Sequence, residues 1–494
     1  MGKIGFDNEL YITKQKEHIL ERIKGANGKL YLEFGGKLFD DYHAARVLPG
    51  FDVNAKIKLL EELKDEAEII FAISAGDIEK TKIRADLGIT YDMDVLRLID
   101  NITKLGIEVN SVVITRYAGQ PAADAFAAKL EQHGIKNYFH KSINGYPTDI
   151  DYICSEKGFG SNPYIETTKP LVVVTAPGPG SGKLATCLSQ VYHETTRNVP
   201  AGYAKFETFP IWNLPLTHPV NLAYEAATAD LDDVNMIDPY HLDAYGKTTV
   251  NYNRDVEAFP IVQSTLAAIG NSNFDYKSPT DMGVNMAGYA ISDDEVVQEA
   301  SKQEIIRRFF ATKCAYRQGK EKKSAVEKIK LLMSGLEITP EYRPVVNAAL
   351  EKENEVDSPS AAIQLDDGRI ITGKASELMS ASSSVVLNSI KAIMNIDDDL
   401  TLLNPIVLEP IIEMKTNVLG SITNYLDLEA VLTALSVTGS TNSLTAKAMK
   451  GLEKLRDCEF HSTQMLQSGD ARVLRELGLR VTSEPIYPSK DLFF

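Results

Sequence analysis

Cysteine is scarce in this chain. Four cysteines stand among 494 residues, and no two of them form a Cys-x-x-Cys pair. A disulfide framework or a cysteine-based structural zinc site needs clustered cysteines, so this spacing argues against both. We therefore expect buried, reduced thiols at the positions Cys154, Cys187, Cys314 and Cys458.

The chain also lacks a long hydrophobic run. No stretch approaches the roughly 20 consecutive apolar residues that a membrane-spanning helix needs. Residues 1–6 have no apolar core of the kind found in signal peptides, and Phe6 stands where a myristoylation motif has Ser or Thr. These features predict a cytoplasmic protein that has no membrane partner.

Positive charge is in deficit. Lysine and arginine total 52 against 68 aspartates and glutamates, which gives a net charge of −16. An extended nucleic-acid surface replaces counterions with clustered lysines and arginines, so we expect no nucleic-acid partner. A local basic pocket is compatible with this composition, because net charge describes the whole surface and not one site.

The length and the hydrophobic content favour several globular domains. Hydrophobic residues make up 44% of the chain, and at about 100–200 residues per domain the length predicts roughly two to four domains. In residues 1–168, apolar strands alternate with amphipathic helices, which predicts a Rossmann-like α/β domain with a doubly wound parallel sheet. The predicted strands there are Lys29–Phe34, Glu68–Ser74, Ser111–Thr115 and Asn137–His140.

We place a second α/β domain at residues 169–324. It begins with the buried strand Pro170–Thr175, followed by a glycine loop and the helix Lys183–Thr196. The stretch from Thr217 to Ser292 is rich in Asn, Asp, Pro, Tyr and His, and we predict irregular structure there. Residues 325–494 predict a mainly helical α+β domain with one hairpin around residues 366–368, and its helices offer a surface for a homo-oligomer.

The glycine loop is the most informative motif. It joins a buried strand to a helix, and its glycines let the backbone approach a ligand closely. The free amides at the start of a helix favour an anion, and a lysine adds a full positive charge. We therefore predict phosphate binding by Gly178, Gly180, Ser181, Gly182 and Lys183.

Two nucleotide motifs fit parts of this loop. The P-loop pattern G-x-x-x-x-G-K-[ST] matches Gly182 and Lys183, but Pro177 and Leu184 occupy its first glycine and its hydroxyl position. Ser181 or Thr186 would then have to supply the hydroxyl that binds Mg²⁺. This motif favours a phosphotransferase-like enzyme with ATP and Mg²⁺ as cofactors, acting on a small molecule.

The alternative is the dinucleotide fingerprint G-x-G-x-x-[GA]. Gly180, Gly182 and Ala185 match it, and Glu207 follows the next predicted strand, where an acidic residue would bind the ribose. This motif favours an NAD(P)-dependent oxidoreductase. A non-catalytic protein that binds a phosphorylated metabolite, or a structural turn without a ligand, is also compatible with the loop.

Short polar clusters suggest the catalytic groups. Asp238 and His241 lie within six residues of Asp243, and Asp281 begins a segment of turn-forming residues. Carboxylates and histidine transfer protons or bind a divalent ion, so Asp238, His241 and Asp281 are our candidate catalytic residues.

A second anion or substrate site is predicted where the first and third strands end. Open α/β sheets bind ligands at the carboxyl ends of their strands, and small or cationic residues follow both strands. The candidates are Gly35, Gly36, Lys37, Arg46 and Arg116.

Three segments carry a resemblance to a family. Residues 31–37 (YLEFGGK), 176–183 (APGPGSGK) and 278–285 (SPTDMGVN) resemble a family of conserved hypothetical bacterial proteins of about this length. The similarity extends over essentially the whole chain. The resemblance implies a bacterial cytoplasmic protein with a domain of unknown function, and it implies no activity, so the nucleotide hypothesis depends on the loop itself.

Overall fold

The structure is a computed structural model that describes residues 3–84, 87–270, 275–421 and 423–489. The chain divides into two compact units. The larger unit contains Lys3–Glu225 and Asp233–Ser301, and the smaller contains Ala226–Asp232 and the described residues from Lys302 onward.

The strands of the larger unit are β1 (Lys29–Phe34), β2 (Ala67–Ser74), β3 (Ile83–Arg84), β4 (Ile89–Thr90), β5 (Glu108–Thr115), β6 (Asn137–His140), β7 (Leu171–Thr175), β8 (Ala201–Phe206), β9 (Asn235–Ile237), β10 (Val250–Tyr252) and β11 (Gly283–Val284). Those of the smaller unit are β12 (Ser360–Gln364), β13 (Ile370–Lys374), β14 (Glu459–Ser462) and β15 (Arg480–Ser483).

The helices up to residue 317 are α1 (Asn8–Ala26), α2 (Tyr42–Val47), α3 (Ala55–Glu62), α4 (Ala75–Glu79), α5 (Tyr91–Lys104), α6 (Pro121–Gln132), α7 (Ile150–Ile153), α8 (Lys183–Thr196), α9 (Pro219–Ala227), α10 (Pro239–Tyr245), α11 (Asn253–Ala268), α12 (Pro279–Met282) and α13 (Asp294–Arg317). The later helices are α14 (Lys323–Gly335), α15 (Pro344–Val356), α16 (Ala381–Ile393), α17 (Pro405–Glu413), α18 (Leu428–Gly439), α19 (Ser443–Met449) and α20 (Ser468–Glu476).

A seven-stranded sheet forms the centre of the larger unit. Its order is β11-β8-β1-β7-β2-β5-β6, and every neighbouring pair is parallel. All residues of β2 and β7 are buried. A parallel sheet is covered by helices on both faces, which explains why these strands are nearly continuous apolar runs. The predicted doubly wound α/β class is confirmed.

The predicted division into two α/β domains at residue 169 differs from the structure. Strand β7 lies between β1 and β2 and pairs with both, so strands from residues 1–168 and 169–324 share one sheet. The border between the units also falls earlier than residue 324, between Ser301 and Lys302. Local sequence indicates where a strand or helix lies, but its partners depend on long-range pairing.

Helices cover both faces of this sheet. On one face, Tyr31, Val172 and Val174 join Cys187 and Leu188 of α8 in a single apolar core. Helix α8 contacts β1, β7 and β8, while α1 contacts β1, β8 and α3. When two right-handed connections between parallel strands run in opposite directions along a sheet, their helices cover opposite faces of that sheet. The helices after β1 and after β7 therefore lie on opposite sides.

The prediction of irregular structure from Thr217 to Ser292 is wrong. The structure has α9 to α12 and β9 to β11 there, including the 16-residue helix α11. Several polar residues that suggested loops are helix caps: Asp238 caps α10 and Ser278 caps α12. Such residues favour turns and helix starts equally, so composition alone did not separate the two. Helix α1 is likewise absent from the predicted elements.

The smaller unit combines a four-stranded sheet with helices. Its order is β13-β12-β14-β15, with β12 antiparallel to both neighbours and β14 parallel to β15. The hairpin of β12 and β13 is the predicted one, with its turn at residues 366–368. Helices α16, α18 and α19 pack around a common apolar core, which confirms the mainly helical α+β class. No helix of the described residues is long and apolar enough to cross a membrane.

The buried position of β2 predicts that shortening one of its side chains lowers the stability of the protein. Ile70 in β2 is fully buried in the apolar core beside α8. Ile70→Ala removes three carbon atoms from a packed interior, so we expect a loss of about 2–5 kcal/mol in the free energy of unfolding, measured by urea denaturation. Ile83 in β3 is 60% exposed, and Ile83→Ala should change stability by less than about 0.5 kcal/mol. Equal losses in the two variants would contradict the buried position of β2.

Candidate functional site

The candidate site lies at the carboxyl ends of β1 and β7. These strands are neighbours in the sheet. From β1 the chain continues to β2, on one side of this pair, and from β7 it continues to β8, on the other side. Their connections therefore run to opposite faces of the sheet and leave a crevice between them. Open parallel sheets bind ligands at such a switch point.

The glycine loop enters this crevice from β7. Gly180 and Gly182 have φ angles of 72° and 90°, a region that L-residues with a side chain rarely adopt. Gly182 is the N-cap of α8 and Lys183 is its first residue. A Cβ at Gly178 would clash with the Tyr91 hydroxyl. Three of the predicted phosphate-binding residues are thus glycines for conformational or steric reasons.

Hydrogen bonds hold the loop in place. Thr115, at the end of β5, donates its hydroxyl to the Ser181 carbonyl at 2.7 Å. The Ser181 hydroxyl donates to the Gly178 carbonyl at 2.8 Å, and the Thr186 hydroxyl donates to the Gly182 carbonyl at 3.0 Å. These bonds make the loop a preformed structure.

The same hydrogen bonds involve the two hydroxyl groups that could bind Mg²⁺ in a P-loop. A P-loop needs a hydroxyl that binds the ion, and the two candidates, Ser181 and Thr186, both donate to backbone carbonyls. Among the residues that the structure describes, no cluster of three or more His, Cys, Asp or Glu side chains is arranged to hold a metal ion. These bonds orient the two hydroxyl oxygens and leave their lone pairs unused, and Mg²⁺ binding by either residue stays a prediction.

Lys183 faces a carboxylate on the neighbouring strand. Its Nζ lies 4.0 Å from Oε1 of Glu33, near the end of β1. The other Glu33 oxygen accepts a 2.8 Å hydrogen bond from the Tyr203 hydroxyl of β8. At 4.0 Å the ion pair is long, so the ammonium group is available to a closer anion.

Arg116 approaches the loop from the end of β5. It is exposed, and its Nη2 lies 3.7 Å from the position that a Cβ of Gly180 would take. The charges of Arg116 and Glu33 both act on the hydroxyl of Tyr146. Burial is the main cause that raises the pKa of Tyr146 to about 12; the negative charge of Glu33 also raises this pKa, and the positive charge of Arg116 lowers it. The structure therefore brings Arg116, predicted as part of a second site, to the glycine loop itself.

The diglycine after β1 packs closely against its surroundings. The Gly35 amide donates to the Phe206 carbonyl at 3.1 Å, so Gly35 is fixed to the end of β8. A Cβ at Gly36 would lie 2.6 Å from Nζ of Lys56, which pairs with Asp41 at 2.8 Å. These contacts explain both glycines by packing, and their binding of an anion stays a prediction.

The two cations predicted with this diglycine lie nearby in the chain. Lys37 is exposed directly after the diglycine, and Arg46 is half-buried in α2. Both belong to the connection that follows β1, on the side of the crevice opposite α8. Their role in binding also stays a prediction.

A buried charged cluster lies at the end of β8. Nζ of Lys205 is 2.6 Å from Oε1 of Glu207 and 2.5 Å from Oδ1 of Asp255 in α11. Burial raises the pKa of Glu207 to about 8; the Lys205 charge opposes this rise and the Asp255 carboxylate adds to it. A carboxyl group that titrates near neutral pH is suited to proton transfer.

Most of this cluster was not predicted from the sequence. Glu207 was predicted only as a ribose-binding acid, and neither Lys205 nor Asp255 was among the candidate residues. Lys205 and Glu207 have the i, i+2 spacing that puts two residues of a strand on one face, which was a usable signal. Asp255 lies in the stretch predicted as irregular, and only the folding of α11 brings it to β8.

The three predicted catalytic residues do come together. Asp238 is buried and accepts hydrogen bonds from the amides of Tyr240 and His241, both at 3.0 Å. Its second oxygen accepts from the Thr280 hydroxyl at 2.7 Å. His241 Nδ1 lies 3.0 Å from the Ser278 hydroxyl and 3.8 Å from Oδ1 of Asp281.

This group lies away from the glycine loop along the sheet. Asp281 stands two residues before Gly283, and Gly283 pairs with Lys205 in β8. The group therefore lies at the edge of the sheet formed by β11, next to β8 and three strands from β7. Asp238 joins α10 to α12 through its hydrogen bonds, which is sufficient reason for a buried carboxylate. Catalysis by Asp238, His241 and Asp281 stays a prediction.

The strand order can be compared with that of a dinucleotide-binding fold. In that fold the strand that carries the ribose-binding acid is the neighbour of the glycine-loop strand. Here β1 lies between β7 and β8, so Glu207 is one strand further away. The acid on the neighbouring strand is Glu33, which faces Lys183. This arrangement favours simple phosphate binding over the dinucleotide geometry.

The larger unit is thus a doubly wound α/β protein with a glycine loop and two cationic side chains at a switch point. The chain matches two family models, "Domain of unknown function DUF1846, N-terminal" over residues 4–337 and "Domain of unknown function DUF1846, C-terminal" over residues 341–493. The protein belongs to the DUF1846 family, which confirms the resemblance predicted from its motifs.

Curated relatives span the full length. A UPF0371 protein of Clostridium botulinum (strain Eklund 17B / Type B) is 56% identical over 501 residues, covering 100% of this chain and 99% of the relative. A UPF0371 protein of Clostridium tetani is 54% identical over 501 residues with the same coverage. These relatives are bacterial proteins of about the same length.

The buried Glu207 predicts a pH dependence of stability. Its pKa is about 8 in the folded chain against a usual value of 4.5, so the folded form holds a proton that the unfolded form has released. The stability contributed by this group should fall as the pH rises from about 4.5 to 8. Glu207→Gln should remove this slope, which amounts to at most about 1.4 kcal/mol per pH unit. Urea denaturation across this pH range measures it.

The matched control is Glu257→Gln, at an exposed position of α11. It should leave the slope of the wild-type protein unchanged. An identical pH dependence in wild type and Glu207→Gln would contradict a raised pKa at Glu207.

Proposed function

We propose that this protein is an enzyme that binds a phosphorylated small molecule or a nucleotide at the glycine loop and transfers a phosphoryl group. The observation that carries the proposal is the start of α8 at the switch point, with Lys183 as its first residue and Arg116 beside Gly180. The free amides of a helix start and the positive end of its dipole stabilise an anion.

The charges of the crevice support an anionic ligand. Two cations, Lys183 and Arg116, flank the loop, and the long pair with Glu33 leaves the Lys183 ammonium accessible. A phosphate placed at the helix start would contact both cations and the loop amides. Positioning and charge neutralisation of this kind are what phosphoryl transfer requires of a protein.

Glu207, which follows β8 at the same end of the sheet but two strands from β7, is the candidate proton acceptor in this proposal. A hydroxyl acceptor attacks phosphorus with an oxygen lone pair, its proton passes to the Glu207 carboxylate, and the leaving oxygen keeps the electron pair of the broken P–O bond. Its pKa of about 8 makes the ionised Glu207 a stronger proton acceptor than an ordinary carboxylate, and the fraction that is ionised rises as the pH approaches 8. Lys205 positions the Glu207 carboxylate through their 2.6 Å contact. Cells keep such ligands in the cytoplasm, the location predicted from the sequence.

A ligand panel tests the proposal. We expect ATP, other nucleotides or sugar phosphates, each assayed with and without Mg²⁺, to raise the melting temperature of the wild-type protein. A ligand at about 100 times its Kd adds roughly 2.7 kcal/mol to stability. Lys183→Ala should abolish the shift, and Arg116→Ala should reduce it. Differential scanning fluorimetry measures the shifts.

The control variant is Lys136→Ala, an exposed lysine just before β6, the edge strand that lies three strands from β7. It should bind as the wild type does. A shift confined to NAD(P) would favour the oxidoreductase instead, and tight binding without turnover would favour a non-catalytic binding protein. No shift with any phosphorylated ligand, in a protein that folds normally, would overturn the proposal.

A further inference from the structure

A cavity of about 780 Å³ opens in the smaller unit. It lies at one edge of the four-stranded sheet, where β12 begins and β13 and β14 end. The starts of α16 and α20 complete its wall. Small-molecule sites commonly measure about 300–1,000 Å³, and parallel strands such as β14 and β15 often bind ligands at their carboxyl ends.

The wall of this cavity combines polar and apolar side chains and carries little charge. Its polar side chains are mainly hydroxyls and carboxamides, with carboxylates at Glu377 and Asp470 and no lysine or arginine among the described lining residues. The carboxamides of Asn424 and Gln464 make no hydrogen bond within the part of the chain that the structure describes. They are therefore available to donate to a ligand and to accept from it.

The charges at the cavity disfavour an anion. Asp470, in the first turn of α20, lies beside the starts of α16 and α18, where its carboxylate accepts a 2.9 Å bond from the Ser380 hydroxyl and a 2.7 Å bond from the Leu428 amide. Burial raises the pKa of this carboxyl above its usual value. A carboxylate already occupies the end of the helix that an anion would need, and no cation lines the described wall.

A cationic ligand is disfavoured for a different reason. Asp470 is buried and each of its oxygens already accepts one hydrogen bond, so an ammonium group would meet only the remaining lone pair of each oxygen. Glu377 is exposed, and an exposed ion pair contributes only about 0–1 kcal/mol. A ligand that uses hydrogen bonds and apolar contact, without a net charge, fits the cavity best.

We propose that this cavity binds an uncharged polyhydroxylated small molecule, such as a free sugar or the sugar of a nucleoside. The carboxamides of Asn424 and Gln464 hydrogen-bond its hydroxyls, and the half-buried ring of Tyr425 packs against its apolar face. The site is separate from the glycine loop, and the proposal does not depend on the function proposed for that loop.

Saturation-transfer NMR and calorimetry on the full-length protein test this site. The probes are D-glucose, N-acetyl-D-glucosamine and adenosine, with D-glucose 6-phosphate and putrescine as charged counterparts. We expect at least one uncharged probe to bind, and we expect Gln464→Leu and Asn424→Asp each to weaken it at least tenfold. Asn424 is exposed, so its isosteric variant should fold even if Gln464→Leu does not.

Two controls make the result specific. Gln132→Leu, at an exposed position at the end of α6, should leave the affinity unchanged, and so should Lys183→Ala, which tests the glycine loop separately. The proposal is overturned if no uncharged probe binds at millimolar concentration. It is also overturned if a charged probe binds more tightly through Gln464, or if binding is unchanged in both cavity variants.

Discussion

The candidate site depends on one topological constraint, the right-handedness of the connections between parallel strands. Strands β1 and β7 are neighbours whose connections lead in opposite directions, so their following helices cover opposite faces. The gap that this leaves at their carboxyl ends is where the glycine loop lies. Without β7 between β1 and β2, Lys183 would not face Glu33, and the loop would be an ordinary turn at the end of a strand.

A chain of polar contacts extends from this gap into the protein. Glu33 lies beside Lys183 and accepts a hydrogen bond from Tyr203, and two residues further along β8 Lys205 pairs with Glu207 and Asp255. Burying so many charges costs stability unless they are paired, and such clusters occur preferentially at functional sites. Asp238 provides the contrast: it is as deeply buried, but its bonds cap α10 and connect it to Thr280 of α12 and Asn251 of β10.

The two units differ in the chemistry of their candidate sites. The loop of the larger unit offers cations and helix amides, which suit phosphate, whereas the cavity of the smaller unit offers hydroxyls and carboxamides without a cation. The two family models also divide the chain, but later than the two units do: one model ends at residue 337 and the next begins at residue 341, whereas the units meet between Ser301 and Lys302. Each site is thus contained within one unit and can be tested by itself.

The sequence by itself determined the strands β1, β2, β5, β6 and β7, the helix α8 and the glycine loop, because buried apolar runs, helical periodicity and glycine-rich turns are local properties. It also predicted Arg116 and Lys183 as anion-binding residues. Only the tertiary structure decided that one sheet joins residues 1–168 to 169–324, that Arg116 lies beside Gly180, and that Asp255 of α11 meets Lys205. Those contacts join residues far apart in the chain, and no local pattern encodes which strand becomes the neighbour of which.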